Sequence, residues 1–418
     1  MDLETDGDDM QKTPKGMRLH IGIFGKRNVG KSSLLNCLTG QSVSIVSDHA
    51  GTTTDPVEKP MELLPVGPVV FIDTAGIDDI GALGEQRISK TMQVLQRTDL
   101  AIVVTEAGCV DQFEMKLLEQ LKELKTPVIL VCNKSDKGKP SAKLLEIAET
   151  EKLPICTTNA LTRDGIDELR HQIIKLTPAD FLAPTALISD LVPPGKIAVL
   201  VVPIDKEAPK GRLILPQVQT IRDLLDGDSI AIVTKERELA HTLHLLKEDP
   251  AIVVTDSQAF LKVAADTPEH IPMTSFSILF ARLKGDLSEM VRGALAIESL
   301  RPGDKVMIAE SCTHHPVTDD IGTVKIPRWL NQYVGGKIEF DFWRGHDFPE
   351  NLDDYKLIIH CAACLWNRQE MLWRIATAKK AGVPITNYGL AIAYTLGIFE
   401  RALKPFRSTY ELYKELKK

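Results

Sequence analysis

The feature that most constrains this chain is a short glycine-framed loop, Gly25-Lys-Arg-Asn-Val-Gly30-Lys31-Ser32, set between an apolar β-rich run and a helix-forming one. The run before it, Leu19–Phe24, reads as a strand, and Lys31–Thr39 reads as a helix. A strand that turns through glycines into a helix aims backbone N–H groups and the positive helix end at one point. That point is built for a phosphate. Gly25, Asn28, Val29, Gly30 and Ser33 are therefore candidate phosphate-loop contacts. Lys31 is expected to reach the β- and γ-phosphates, and Ser32 to bind Mg²⁺.

Two further motifs follow in the order such a site needs. Asp73-Thr-Ala-Gly76 ends the apolar run Val69–Ile72, where Asp73 can act on Mg²⁺ through water and the Gly76 amide can sense the γ-phosphate. Asn133-Lys134-Ser-Asp136 ends the run Val128–Cys132. A carboxylate at Asp136 accepts from guanine N1–H and its 2-amino group, a donor pair that adenine lacks. The expected ligand is GTP or GDP, with Lys31, Asp73 and Gly76 in the catalytic set, which the resemblance below extends to Thr53.

These residues resemble the translation-factor-related GTPases, in particular the branch that includes Era, Der and MnmE, over about residues 18–176. The resemblance implies that Gly51-Thr52-Thr53-Thr-Asp55 is the first switch, with Thr52 at the nucleotide and Thr53 on Mg²⁺. It places the guanine-capping loop at Thr158-Asn159-Ala160, where the family has Ser-Ala. Ile77 stands where Ras-like enzymes carry a water-orienting glutamine, so intrinsic hydrolysis should be slow. Asn28 matches the asparagine of potassium-activated members. The resemblance thus implies K⁺ beside the phosphates, with backbone groups near Ser47, His49 and Thr52 as co-ligands.

The rest of the chain alternates apolar runs and helical periods, so the expected fold is α/β, a P-loop domain followed by two further parallel-sheet domains. Expected limits are a disordered acidic lead-in over 1–16, the GTPase domain over 17–177, a proline-bearing linker over 178–194, a middle domain over 195–275 and a last domain over 276–418. Hydrophobic residues at 44% and charged residues at 26% fit an ordinary globular chain. No apolar run is long enough to span a bilayer, and the lead-in has no signal core, so a cytoplasmic protein without membrane contact is expected. The net charge of −7 argues against broad nucleic-acid binding.

The seven cysteines divide into two groups. Cys37, Cys109, Cys132 and Cys156 stand alone in apolar or helical stretches and are expected to fill core space. Cys312-Thr-His314-His315 and His360-Cys361-Ala-Ala-Cys364 each follow an apolar strand. In a parallel sheet such strand ends face one crevice, so the two segments can converge. Cys361 and Cys364 are expected at a helix N-terminus. Spacing alone leaves two occupants open. Zinc would take three thiolates with His314 or His360. A 4Fe–4S cluster would take Cys312, Cys361 and Cys364 and leave one iron for another ligand.

A GTPase of this branch followed by Cys-x-His and His-Cys-x-x-Cys resembles the HydF family of FeFe-hydrogenase maturation GTPases over nearly the whole chain. That resemblance implies a 4Fe–4S cluster on Cys312, Cys361 and Cys364, with His314 and His360 as fourth ligand or as supports. It also implies a scaffold and carrier for the transient diiron precursor of the hydrogenase. The middle domain would form a homodimer, and the partners would be radical-SAM maturases and the apo-hydrogenase. The alternative is an RNA-directed GTPase, acting in tRNA modification or ribosome assembly, with a zinc-bound accessory domain. That reading would require a basic recognition face, and no KH or OB signature is present.

Overall fold

The computed structural model describes residues 13–39, 56–74, 82–106, 109–182, 185–204, 212–311, 320–349 and 351–418, without the side chains of 82–88 and 180. The chain divides into two compact units, Met1–Pro184 and Thr185–Lys418. Both are α/β structures, as the alternation of runs implies.

Among the described residues, six strands build the sheet of the first unit. They are β1 (Leu19–Phe24), β2 (Val57–Leu63), β3 (Gly67–Asp73), β4 (Leu100–Glu106), β5 (Val128–Asn133) and β6 (Ile155–Thr157), in the order β2-β3-β1-β4-β5-β6. Neighbours are parallel except β2, which runs antiparallel to β3. β1 and β5 are buried along their whole length because apolar layers cover both faces. On one face Leu19, Ile21 and Ile23 pack with Leu34, Leu35, Leu169 and Ile173 of helices Lys31–Thr39 and Ile166–Leu176. On the other, Phe24, Ala101 and Val103 meet Val94, Leu117 and Leu121. β2 escapes a reading by apolar runs, since three charges and a proline interrupt Val-Glu-Lys-Pro-Met-Glu-Leu. It is an edge strand, where Pro60 can lack an N–H without breaking a ladder.

Among the described residues, the second unit carries two four-stranded, all-parallel sheets. The first holds β7 (Ile197–Val201), β8 (Ile230–Thr234), β9 (Ile252–Thr255) and β10 (Met273–Ser275) in the order β10-β9-β7-β8. The second holds β11 (Lys305–Glu310), β12 (Glu339–Arg344), β13 (Leu357–His360) and β14 (Ile385–Asn387) in the order β12-β11-β13-β14.

The two sheets share one unit for identifiable reasons. β10 runs straight into helix Phe276–Lys284, which Ser275 caps by accepting from the Ile278 N–H at 3.2 Å. Lys325 donates to Gln258 at 2.7 Å, and Arg401 donates to the carbonyls of Ala264, Thr267 and Pro268. Helix Leu287–Leu295 lies so close to β14 that a Cβ at Gly293 would sit 1.9 Å from the Ile385 carbonyl oxygen. Of the 178–194 stretch read as a linker, residues from Thr185 onward belong to this unit. There Leu187, Ile188 and Val192 are buried, and the Ile188 and Ser189 N–H groups donate to Asp223. Among the described residues no helix is long and apolar enough to cross a membrane.

Candidate functional site

In the first unit the loop after β1 is held open by local backbone chemistry. Gly25 has φ +147°, and a Cβ there would lie 2.3 Å from the Val104 carbonyl oxygen. Asn28 takes φ +62°, and its carbonyl accepts from Lys134 Nζ at 2.5 Å. Lys31 is buried and donates to the Gly25 and Lys26 carbonyls at 2.8 and 2.7 Å, so its ammonium stands inside the curl of the loop. Ser32 and Ser33 are half-buried on the first turn of the helix.

Across from the loop, Asp73 ends β3. Ser32 Oγ donates to its Oδ2 at 2.5 Å, while its Oδ1 is buried without a hydrogen-bond partner among the described residues. Burial pushes the Asp73 carboxyl up, against the Ser32 hydrogen bond and the charges of Lys31 and Lys59. A buried, half-satisfied carboxylate beside a serine hydroxyl fits a hydrated Mg²⁺, which would supply the missing positive partner. Lys59 of β2, which donates to Asn36 at 2.9 Å, is a cation of this site that motif reading missed.

The base side is organised by Asn133 at the end of β5. Its Nδ2 donates to the Val29 carbonyl at 2.9 Å, and its Oδ1 accepts from Thr158 Oγ1 at 3.1 Å and the Ala160 N–H at 3.3 Å. One side chain thus joins the phosphate loop to the guanine-capping loop. Asn159 donates to Asp136 Oδ1 at 3.0 Å and accepts from the Leu161 and Thr162 N–H groups. The residue that departs from the family's serine therefore orients the Asp136 carboxylate. Glu106, also absent from the motifs, accepts from both Lys134 and Lys137. Thr52, Thr53, Gly76 and Ile77, with Ser47 and His49, lie outside the described residues.

In the second unit the carboxyl ends of four parallel strands lie side by side. The register sets Ala309 against His360, Glu310 against Arg344, and His360 against Asn387. Cys361 therefore meets Ser311, whose N–H donates to its sulfur at 3.1 Å and whose hydroxyl lies 3.2 Å from it. Burial pushes the Cys361 thiol up, and these hydrogen bonds act in the other direction. Cys364 is half-buried three residues on. Neither cysteine stands at the helix N-terminus expected for it. Ala363 turns the chain at φ +51°, and the helix begins only at Arg368, capped by Asn367. Cys312 and His314 lie outside the described residues. Two half-buried cysteines just past a strand end, one of them with an amide and a hydroxyl at its sulfur, fit an iron–sulfur cluster.

His360 has both ring nitrogens engaged. Nδ1 lies 2.9 Å from the Cys361 carbonyl oxygen, which can only accept, so this nitrogen carries the proton. Nε2 then accepts from Arg374 Nη1 at 3.2 Å. Burial, with Arg374 second, holds the His360 pKa down at about 3. Arg374 is itself fully buried between the rings of Trp366 and Phe348, 4.2 and 4.6 Å from their centroids. It also donates to the Gly345 and Asp347 carbonyls. Behind Ser311, Glu310 accepts from Tyr388 Oη and Arg344 Nε, each at 3.0 Å. Of the four cysteines expected to fill core, Cys37, Cys132 and Cys156 are buried but Cys109 is exposed. Its position just beyond β4 puts it outside either apolar layer.

Fold and site make the first unit a P-loop GTPase domain, and residues 20–134 match the family described as 50S ribosome-binding GTPase. GTPase Der of Wolinella succinogenes is 34% identical over 183 residues, 41% of this chain and 38% of that protein. The tRNA modification GTPase MnmE of Chromobacterium violaceum is 36% identical over 161 residues, 38% of this chain and 34% of that protein. The chain thus spans less than two-fifths of either relative. Among solved structures, the G domain of the T. maritima FeoB iron transporter is 26% identical, with 38% of this chain and 99% of that chain covered and a TM-score of 0.31. The remainder matches two further families: residues 187–285 the hydrogen maturase F dimerization domain, and residues 288–405 the hydrogen maturase F tetramerization domain. The chain belongs to the hydrogen maturase F family.

Proposed function

We propose that this chain is a GTP-hydrolysing scaffold that carries a 4Fe–4S cluster and assembles or delivers the diiron precursor of FeFe-hydrogenase. The observation that carries the reading is the Cys361 sulfur at the convergent strand ends, met by two donors from Ser311, in a chain of this family. Cys361, Cys364 and Cys312 would hold the cluster, which when bound supplies an open iron for the cargo. His360 supports the loop rather than ligating iron, because both its nitrogens already have partners.

In the first unit, Asp136, held by Asn159, reads the guanine. Lys31 and the loop amides bind the β- and γ-phosphates. Ser32 and Asp73 orient a hydrated Mg²⁺, with Thr53 and the Gly76 amide completing the γ-phosphate side. Asn28, whose carbonyl accepts from Lys134, would help hold K⁺ at the phosphates. With isoleucine at position 77, hydrolysis is slow, suited to a switch that gates exchange with radical-SAM maturases and the apo-hydrogenase. The exposed apolar edge of β8, with Ile230 and Val233 about half exposed, supports self-association through the first sheet of the second unit.

Anaerobic purification with metal and sulfide analysis tests the cluster. Iron with matching acid-labile sulfide, lost in Cys361→Ser while GTP hydrolysis continues, is the expected outcome. Stoichiometric zinc without iron would refute it.

A further inference from the structure

Ser311 belongs to neither cysteine motif, yet both its N–H and its hydroxyl meet the Cys361 sulfur, at 3.1 and 3.2 Å. The contact is built by the sheet. β11 and β13 pair in parallel, the Cys361 N–H donates to the Ala309 carbonyl at 2.9 Å, and Ser311, the first residue past β11, faces the sulfur with both of its donors. Ser311 is 7% exposed, so water does not compete freely for these bonds. Behind it Glu310, at 4% exposure, is fixed by Tyr388 and Arg344, which keeps the strand exit from shifting.

While the sulfur keeps its proton, either atom of the hydroxyl–thiol pair can donate. Once the sulfur ligates iron it has no proton, and only the serine hydroxyl can. Donors to a ligating sulfur draw electron density from the cluster and favour its reduced, more negative state.

We infer that Ser311 is a positioning residue that sets the reduction potential of the cluster by donating from its hydroxyl to the Cys361 sulfur. The inference rests on the cluster reading above. The test uses the full chain, reconstituted anaerobically with iron and sulfide, as wild type, Ser311→Ala, Ser311→Gly and Ser311→Thr. Iron and sulfide per protomer are measured first, then the midpoint potential by a redox titration followed by electron paramagnetic resonance. Ser311→Ala and Ser311→Gly should bind as much iron as wild type and titrate at a more negative potential. Ser311→Thr, which keeps the hydroxyl, should return to the wild-type value. A wild-type midpoint in either variant lacking the hydroxyl overturns the inference, as does a shifted midpoint that threonine fails to restore. Loss of iron from Ala and Gly but not from Thr overturns it as well, since the hydroxyl then holds the cluster in place rather than setting its potential. Loss from all three with normal GTP hydrolysis overturns it. Full iron in Cys361→Ser would instead strike the cluster assignment, leaving the two failures distinct.

Discussion

The engaged state of His360 predicts a specific acid weakness of the second unit. In the folded chain the ring is neutral with a pKa of about 3, against an ordinary 6.5. Above pH 6.5 the folded and unfolded chains both hold it uncharged, and it contributes its full stabilisation. As pH falls below 6.5 the unfolded chain takes up a proton that the folded one refuses, so stability is lost progressively down to about pH 3. At 1.36 kcal/mol per unit, the loss from this one group between pH 8 and pH 5 is about 2 kcal/mol. The structural cause is concrete: a proton on Nε2 would point at the Arg374 guanidinium, in a fully buried pocket.

All four tryptophans of the chain, Trp329, Trp343, Trp366 and Trp373, lie in the second unit, so intrinsic fluorescence follows its unfolding alone. Urea titrations of the cluster-free protein at pH 8 and pH 5 would be compared with those of His360→Gln. Glutamine can offer its oxygen to Arg374 but does not titrate. The variant should be less stable at pH 8 because its fit is imperfect. Its further loss on going to pH 5 should be smaller than the wild-type loss by about 2 kcal/mol, or about 1 M in urea midpoint. The other histidines are common to both proteins and cancel in the difference. Parallel losses in the two proteins would refute the argument that His360 is held neutral.

Two other perturbations have definite signs. Asp73→Asn removes a charge whose pKa is raised by burial. That carboxylate is a liability that grows as pH rises through its folded value, so the nucleotide-free first unit should gain about 1 kcal/mol at pH 7. Mg²⁺-dependent GTP hydrolysis should fall on the order of 10²-fold or more, and a thermal melt beside a phosphate-release assay measures both. Lysines at Ile230 and Val233 put two charges on the exposed edge of β8. Light scattering should then show a more dissociated chain at equal concentration, and an unchanged oligomer would exclude that edge as the contact.

How much of this was legible in sequence follows from how far apart the cooperating atoms are along the chain. β1, the phosphate loop and helix Lys31–Thr39 could be bounded to the residue, because strand, turn and helix signals there are contiguous. Asn133 and Asp136 were legible for the same reason. The helix after Cys364 was misplaced although its start is written locally: Asn367 with Glu370 three residues later is a cap signature, and Ala363 at positive φ lies before it. The apolar Ala-Ala between the cysteines masked that signal.

Ser311 and Arg374 were not legible, and for them no local signal exists. A serine next to a strand end becomes a sulfur donor only through the parallel register that sets Ala309 against His360. Displacing that pairing by one residue would turn the hydroxyl to the opposite face of the sheet. Arg374 reads as an ordinary helical cation in Arg368–Lys380. It is buried only because Phe348, from the segment after β12, and Trp366, from the turn after Cys364, close over it from two sides. The cysteines themselves suggest a soft-metal ligand by residue type. The groups that surround Cys361 and His360 come from strands β11 and β12 and from the helix following β13, so they depend on tertiary pairing that spacing does not encode. That is why the cysteines could be singled out from sequence while the hydrogen bonds that govern His360 and Cys361 could not.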